Sequence, residues 1–103
     1  MNHLLHLVNK SPTEKNSFNT CLRMAKPGDS ILMIEDGVYA TLANADFAKN
    51  ITSHLQDFSF YALGADIAAR GLGDMALIKD VHIIDYEGFV DLVTTTDVTQ
   101  SWL

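Results

Sequence analysis

The sequence predicts a single α/β domain spanning residues 1–103, a three-layer α/β/α sandwich around a mostly parallel sheet of four or five strands. Three observations predict it. Short runs that are almost wholly apolar alternate with longer segments of helical spacing. Continuous apolar strands belong to sheets covered on both faces, and parallel sheets are built that way. A chain of 103 residues with 48% apolar content also fits one core of ordinary size, and it is too apolar for a disordered segment.

The elements follow in order. Leu4-Leu5-His6-Leu7-Val8 is a buried strand, too short for a helix. Ser11-Pro12-Thr13-Glu14 reads as a capping box, with Ser11 the cap, Pro12 at the first helical position and Glu14 reaching back. The helix it opens carries the stripe Phe18, Leu22, Ala25 and stops at Lys26-Pro27-Gly28. Ile31-Leu32-Met33-Ile34 is the second strand, closed by the turn signal Glu35-Asp36-Gly37. Phe47, Ile51 and Leu55 recur with helical spacing. Phe58 to Leu63 is the third strand, followed after Gly64 by a short helix from Asp66 to Arg70. Val81-His82-Ile83-Ile84 is the fourth, and Asp85 caps a last helix with the stripe Tyr86, Phe89, Val90, Val93. A short final strand is expected near Thr99 to Leu103. Crossovers are expected to be right-handed; strand order is not legible at this level.

Composition excludes several classes. Seven Lys and Arg against thirteen Asp and Glu give a net charge of −6, which disfavours phosphate neutralisation on nucleic acid and docking on an anionic membrane. One cysteine forms neither an internal disulfide nor a cysteine-based zinc site, and it suits a reducing compartment. The amino-terminal stretch has no basic region, and no window reaches the roughly 18 apolar residues of a spanning helix. A cytoplasmic protein is the expectation.

In open α/β sheets, ligands sit beyond the carboxyl ends of the strands. Asn9-Lys10-Ser11-Pro12-Thr13 after the first strand lacks the glycines of a dinucleotide or phosphate loop, and Pro12 removes an amide from any anion nest. A phosphoacceptor domain needs carboxylates after the first and the middle strand; Asn9, Lys10 and Gly64 stand there instead. His3, His6, His54 and His82 show no metal-ligand spacing. Glu35 and Asp36 read as strand-closing, helix-starting carboxylates more readily than as an acid/base pair. Neither cofactor nor metal is expected.

Cys21 is the remaining nucleophile. Residues 10–26 hold Lys10, Lys15, Arg23 and Lys26 with one acid, Glu14, for a net +3 against −9 in the rest of the chain. That local field favours a thiolate. Against it, Cys21 flanks the apolar stripe, Arg23 points away, and the predicted helix start leaves the thiol some ten residues from the amino-terminal dipole. Packing as a small hydrophobe is the competing role.

Several stretches resemble the DsrH/TusB family in order from end to end. They are His6-Leu7-Val8-Asn9-Lys10-Ser11-Pro12, Asp36-Gly37-Val38-Tyr39-Ala40, Tyr61-Ala62-Leu63-Gly64-Ala65-Asp66-Ile67 with Ala69-Arg70-Gly71, Asp85-Tyr86-Glu87-Gly88-Phe89-Val90-Asp91-Leu92, and Gln100-Ser101-Trp102-Leu103. The resemblance implies a DsrE-like fold and a subunit of a sulfur-relay, or sulfurtransferase, complex. It implies DsrE/TusD-like and DsrF/TusC-like paralogous partners, with sulfur donor and acceptor proteins and no direct nucleic-acid contact. The end point is either intracellular sulfur oxidation or 2-thiolation of the tRNA wobble uridine. The principal acceptor cysteine of such complexes belongs to the DsrE/TusD-like partner, just after a middle strand; Gly64-Ala65-Asp66 stands at that place here. Thr20-Cys21-Leu22 resembles the DsrH branch, which implies Cys21 as a secondary persulfide carrier. The alternative is a non-catalytic subunit that completes the oligomer, with Val98, Trp102 and Leu103 as an apolar anchor.

Overall fold

A computed structural model describes residues 3–14 and 16–102. Five strands, Leu4–Val8 (β1), Ser30–Met33 (β2), Ser59–Leu63 (β3), His82–Ile84 (β4) and Val98–Trp102 (β5), form one sheet in the order β4-β3-β2-β1-β5. Every neighbouring pair in it is parallel. The connections contain helices Ser17–Met24 (α1), Ala48–Thr52 (α2), Gly64–Ala69 (α3) and Tyr86–Thr95 (α4), and a 3-10 helix over Glu35–Thr41.

The strand order explains the layers. From β1 to β4 each crossover steps in the same direction across the sheet, so right-handed connections place α1, α2 and α3 on one face. The step from β4 to β5 runs back over the whole sheet, which places α4 on the other. Packing agrees with this division. The main apolar core draws on β1, β2, β3, α1, α2, α3 and the 3-10 helix, and contains no residue of α4. Its rows follow the register: Val8 beside Met33 beside Ala62, with Ile31 beside Phe60. Phe18 and Phe60 are almost completely buried; each contributes about 1.5–3 kcal/mol of transfer free energy.

Helix α2 is shorter than its apolar stripe, α3 starts at Gly64 instead of Asp66, and β2, β3 and β4 shift by a residue at their ends. Three further differences from the sequence reading stand out. The predicted capping box does not start α1. Glu14 N–H donates to the Ser11 carbonyl at 3.0 Å, and Thr13 N–H to Ser11 Oγ at 3.3 Å, so Ser11 to Glu14 is a tight turn with Pro12 at its second position. The same four residue types satisfy either geometry, and α1 opens only at Ser17. The turn after β2 continues into the 3-10 helix, where Gly37 lies directly against the Val8 carbonyl and leaves no room for a Cβ. The last strand begins at Val98, one residue early, and its predicted end, Leu103, lies outside the described residues. Asp85 caps α4 as predicted, accepting from Gly88 N–H at 2.8 Å.

Candidate functional site

The carboxyl edge of the sheet has one topological switch point. The connection leaving β3 turns toward the α1–α3 face and the one leaving β4 toward the α4 face, and such a divergence opens a crevice. A crevice of about 580 Å³ lies there, lined by Gly64 and Ala65 at the start of α3 and by Ile83, Ile84, Asp85 and Gly88. Its chemistry is sparse. Asp85 is the one carboxylate in its lining, and that group is occupied as the α4 cap. Gly64-Ala65-Asp66 brings no thiol to it.

Beside the crevice, two stretches singled out by sequence meet as a latch. Glu35 adopts φ +49°, an unusual conformation for a residue with a side chain, and its N–H donates to Asp66 Oδ2 at 2.7 Å. Arg70 Nε donates to Asp36 Oδ1 at 2.9 Å, and its Nη1 stands 3.7 Å from Asp66 Oδ1. The hydrogen bond to Asp36 raises the Arg70 pKa beyond its ordinary value, partial burial works against this, and the charges of Asp36 and Asp66 add to the rise. These carboxylates tie the 3-10 helix to α3, which is a holding role rather than acid/base work.

Cys21 sits elsewhere, under the packed face. It is the fifth residue of α1, not the tenth or so, because the helix begins later than predicted. Its relative exposure is 0%, among Val8, Phe18 and the other core residues. Burial pushes the thiol up to about 12, and the Asp29 carboxylate adds to the rise. The local excess of Lys and Arg does not lower it: Arg23 and Lys26 are exposed, and Arg23 is engaged with Thr20 Oγ1 at 3.4 Å. Desolvation therefore outweighs the positive field that favoured a thiolate in the sequence.

Beneath the sheet, three residues join that sequence reading kept apart. His6 and Asp29 are both buried, with His6 Nε2 2.9 Å from Asp29 Oδ2. Trp102 Nε1–H donates to His6 Nδ1 at 2.9 Å. An indole N–H only donates, so Nδ1 accepts and the imidazole proton lies on Nε2, facing the carboxylate. Asp29 also accepts from the N–H groups of Leu4 and Lys26, each at 3.0 Å. Burial alone would raise the Asp29 pKa; the bonds from Lys26, His6 and Leu4 outweigh it and hold the carboxyl below its ordinary range. Trp102 is thus tied into its own fold and half-buried against the core, while Val98 of the same strand is exposed and Leu103 lies outside the described residues. His6 and Trp102 are 96 positions apart, so spacing carried no sign of the pair; a histidine inside an apolar strand was the only hint.

Comparison with known proteins supplies the family. Residues 10–99 match the family described as DsrH like protein. Protein TusB of Buchnera aphidicola subsp. Baizongia pistaciae is 35% identical over 99 residues, covering 96% of this chain and all of the relative. Protein TusB of Escherichia coli K12 is 30% identical over the same span. Among solved structures, the ychN protein of E. coli superposes with a TM-score of 0.80 at 16% identity, covering 98% of this chain and 99% of that one. A protein of unknown function from Methanobacterium thermoautotrophicum superposes at 0.68 with 15% identity, covering 97% of each. At these identities the two structures speak for the fold alone. With a full-length sequence match, an all-parallel sheet and a latch built from the stretches that carry the resemblance, the chain belongs to the DsrH family.

Proposed function

We propose that this chain is the subunit of a sulfur-relay complex that completes and shapes the assembly, in the route leading to 2-thiolation of the tRNA wobble uridine. Its partners in this reading are the DsrE/TusD-like and DsrF/TusC-like paralogues, which hold the principal acceptor cysteine and exchange sulfur with donor and acceptor proteins. The observation that carries the structural role is Cys21: fully buried, with its thiol pushed up to about 12. Burial thus keeps the thiol protonated at neutral pH, whereas the thiolate is the nucleophile. Full-length similarity to the TusB proteins supports the tRNA end point over sulfur oxidation.

The second reading keeps Cys21 as a carrier, and its Thr-Cys-Leu context favours it. The thiolate would attack the outer sulfur of a donor persulfide, forming the Cys21 persulfide and releasing the donor thiolate. This requires α1 to lift from the sheet in the assembled complex. Mass spectrometry of the complex after incubation with a persulfide donor tests both readings. The structural role predicts no gain of one sulfur on Cys21, and undiminished relay with Cys21→Ser. A one-sulfur adduct lost in that variant, together with failed relay, overturns it in favour of the carrier.

A further inference from the structure

The unit β4-α4-β5 differs from the rest of the molecule in both apolarity and charge. None of the ten residues of α4 is buried. Tyr86, Val90 and Val93, at helical spacing along one side, are 62%, 59% and 39% exposed. With Phe89 and Thr94 they line a shallow groove of about 320 Å³. Lys79 is the last Lys or Arg in the sequence; beyond it stand Asp80, Asp85, Glu87, Asp91 and Asp97. All five are exposed. Two of them, Glu87 and Asp91, stand on α4 itself, so the apolar seam has charge of one sign along its flank.

We infer that the α4 seam is the docking surface for a different protein, one presenting an apolar ridge rimmed by Lys and Arg. The inference rests on the assembly reading above and names the surface through which it works. A second copy of this chain fits poorly. Glu87 and Asp91 lie on the same flank of the seam, and a two-fold antiparallel pairing of α4 with itself sets the four carboxylates along one side with no cation between them. A basic rim turns that repulsion into attraction, while the seam supplies the water-excluding centre that interfaces need.

Three substitutions and one control test this in complexes purified after co-expression with the two paralogous subunits. Val90→Asp puts a charge in the seam and should reduce co-purification by about tenfold or more. The double variant Glu87→Lys, Asp91→Lys keeps the seam and reverses its rim; it should weaken association, and the wild-type complex should weaken with added salt. Met75→Asp changes an exposed apolar residue away from the seam and should assemble normally. Circular dichroism melts confirm that each variant folds. Folded α4 variants that assemble like wild type overturn the inference and leave the assembly reading standing. A wild-type chain that co-purifies with neither paralogue overturns both. An isolated wild-type chain that sediments as a dimer, and a Val90→Asp variant that sediments as a monomer, assigns the seam to a second copy and overturns the inference.

Discussion

The two faces of the sheet are built to different standards. Under α1–α3, Phe18, Cys21, Ile31, Met33 and Phe60 are sealed from solvent in one continuous core. On the other face a single ten-residue helix returns across a five-stranded sheet whose Leu5, Leu32 and Leu63 are buried, and it leaves its own apolar flank open. The cause is topological: three crossovers step one way and only one returns. The face given one helix for five strands leaves apolar residues of that helix exposed, whereas the face given three seals its core. The thiol lies on the sealed side, and burial there is what raises its pKa.

The contrast breaks most visibly under truncation. Phe60→Ala should cost about 3–5 kcal/mol, read as a fall in the denaturation midpoint. Val90→Ser should stay within about 0.5 kcal/mol of wild type. Equal losses at both sites would mean that the α4 face is as tightly packed as the other.

A second test sharpens what holds the sealed face. Asp29→Ala strands the His6, Leu4 and Lys26 donors and should destabilise the protein by about 3 kcal/mol. The pH dependence has a definite sign. The folded-state pKa of Asp29 is lowered, so its contribution is complete above the ordinary carboxylate range. It is lost as pH falls through the lowered value. Wild type should therefore lose stability in acid more steeply than the Ala variant, as followed by urea denaturation between neutral and strongly acidic pH. Parallel acid profiles would remove Asp29 from the account. The smallest effect belongs to Trp102→Phe, which keeps an aromatic ring on the core and deletes the N–H donated to His6. It should cost about 1 kcal/mol in urea denaturation followed by circular dichroism, and a neutral result would mean that packing alone holds β5.

Much of the fold was legible because burial on both sides writes itself into composition. Leu4–Val8 and the apolar run around Ile31–Met33 admit few alternatives to a covered parallel strand. The start of α1 was not legible, since Ser-Pro-Thr-Glu suits a tight turn as well as a capped helix and only the surrounding chain chooses. The bond from Trp102 to His6 was not legible because its two partners stand at opposite ends of the sequence. Cys21 stood out in sequence as the one thiol, but its pKa depends on desolvation, which belongs to the folded environment and not to the residues beside it in sequence.

The sequence by itself determined an acidic α/β domain of the DsrH family, with its strands, its capped last helix and its single thiol. These follow from local periodicity and from side-chain types, which need no knowledge of what packs where. The tertiary structure alone decided the strand order, the joining of His6, Asp29 and Trp102, the burial of Cys21 and the openness of the α4 face. Each of these depends on which distant residues share a surface, and burial and dielectric environment are properties of that shared surface.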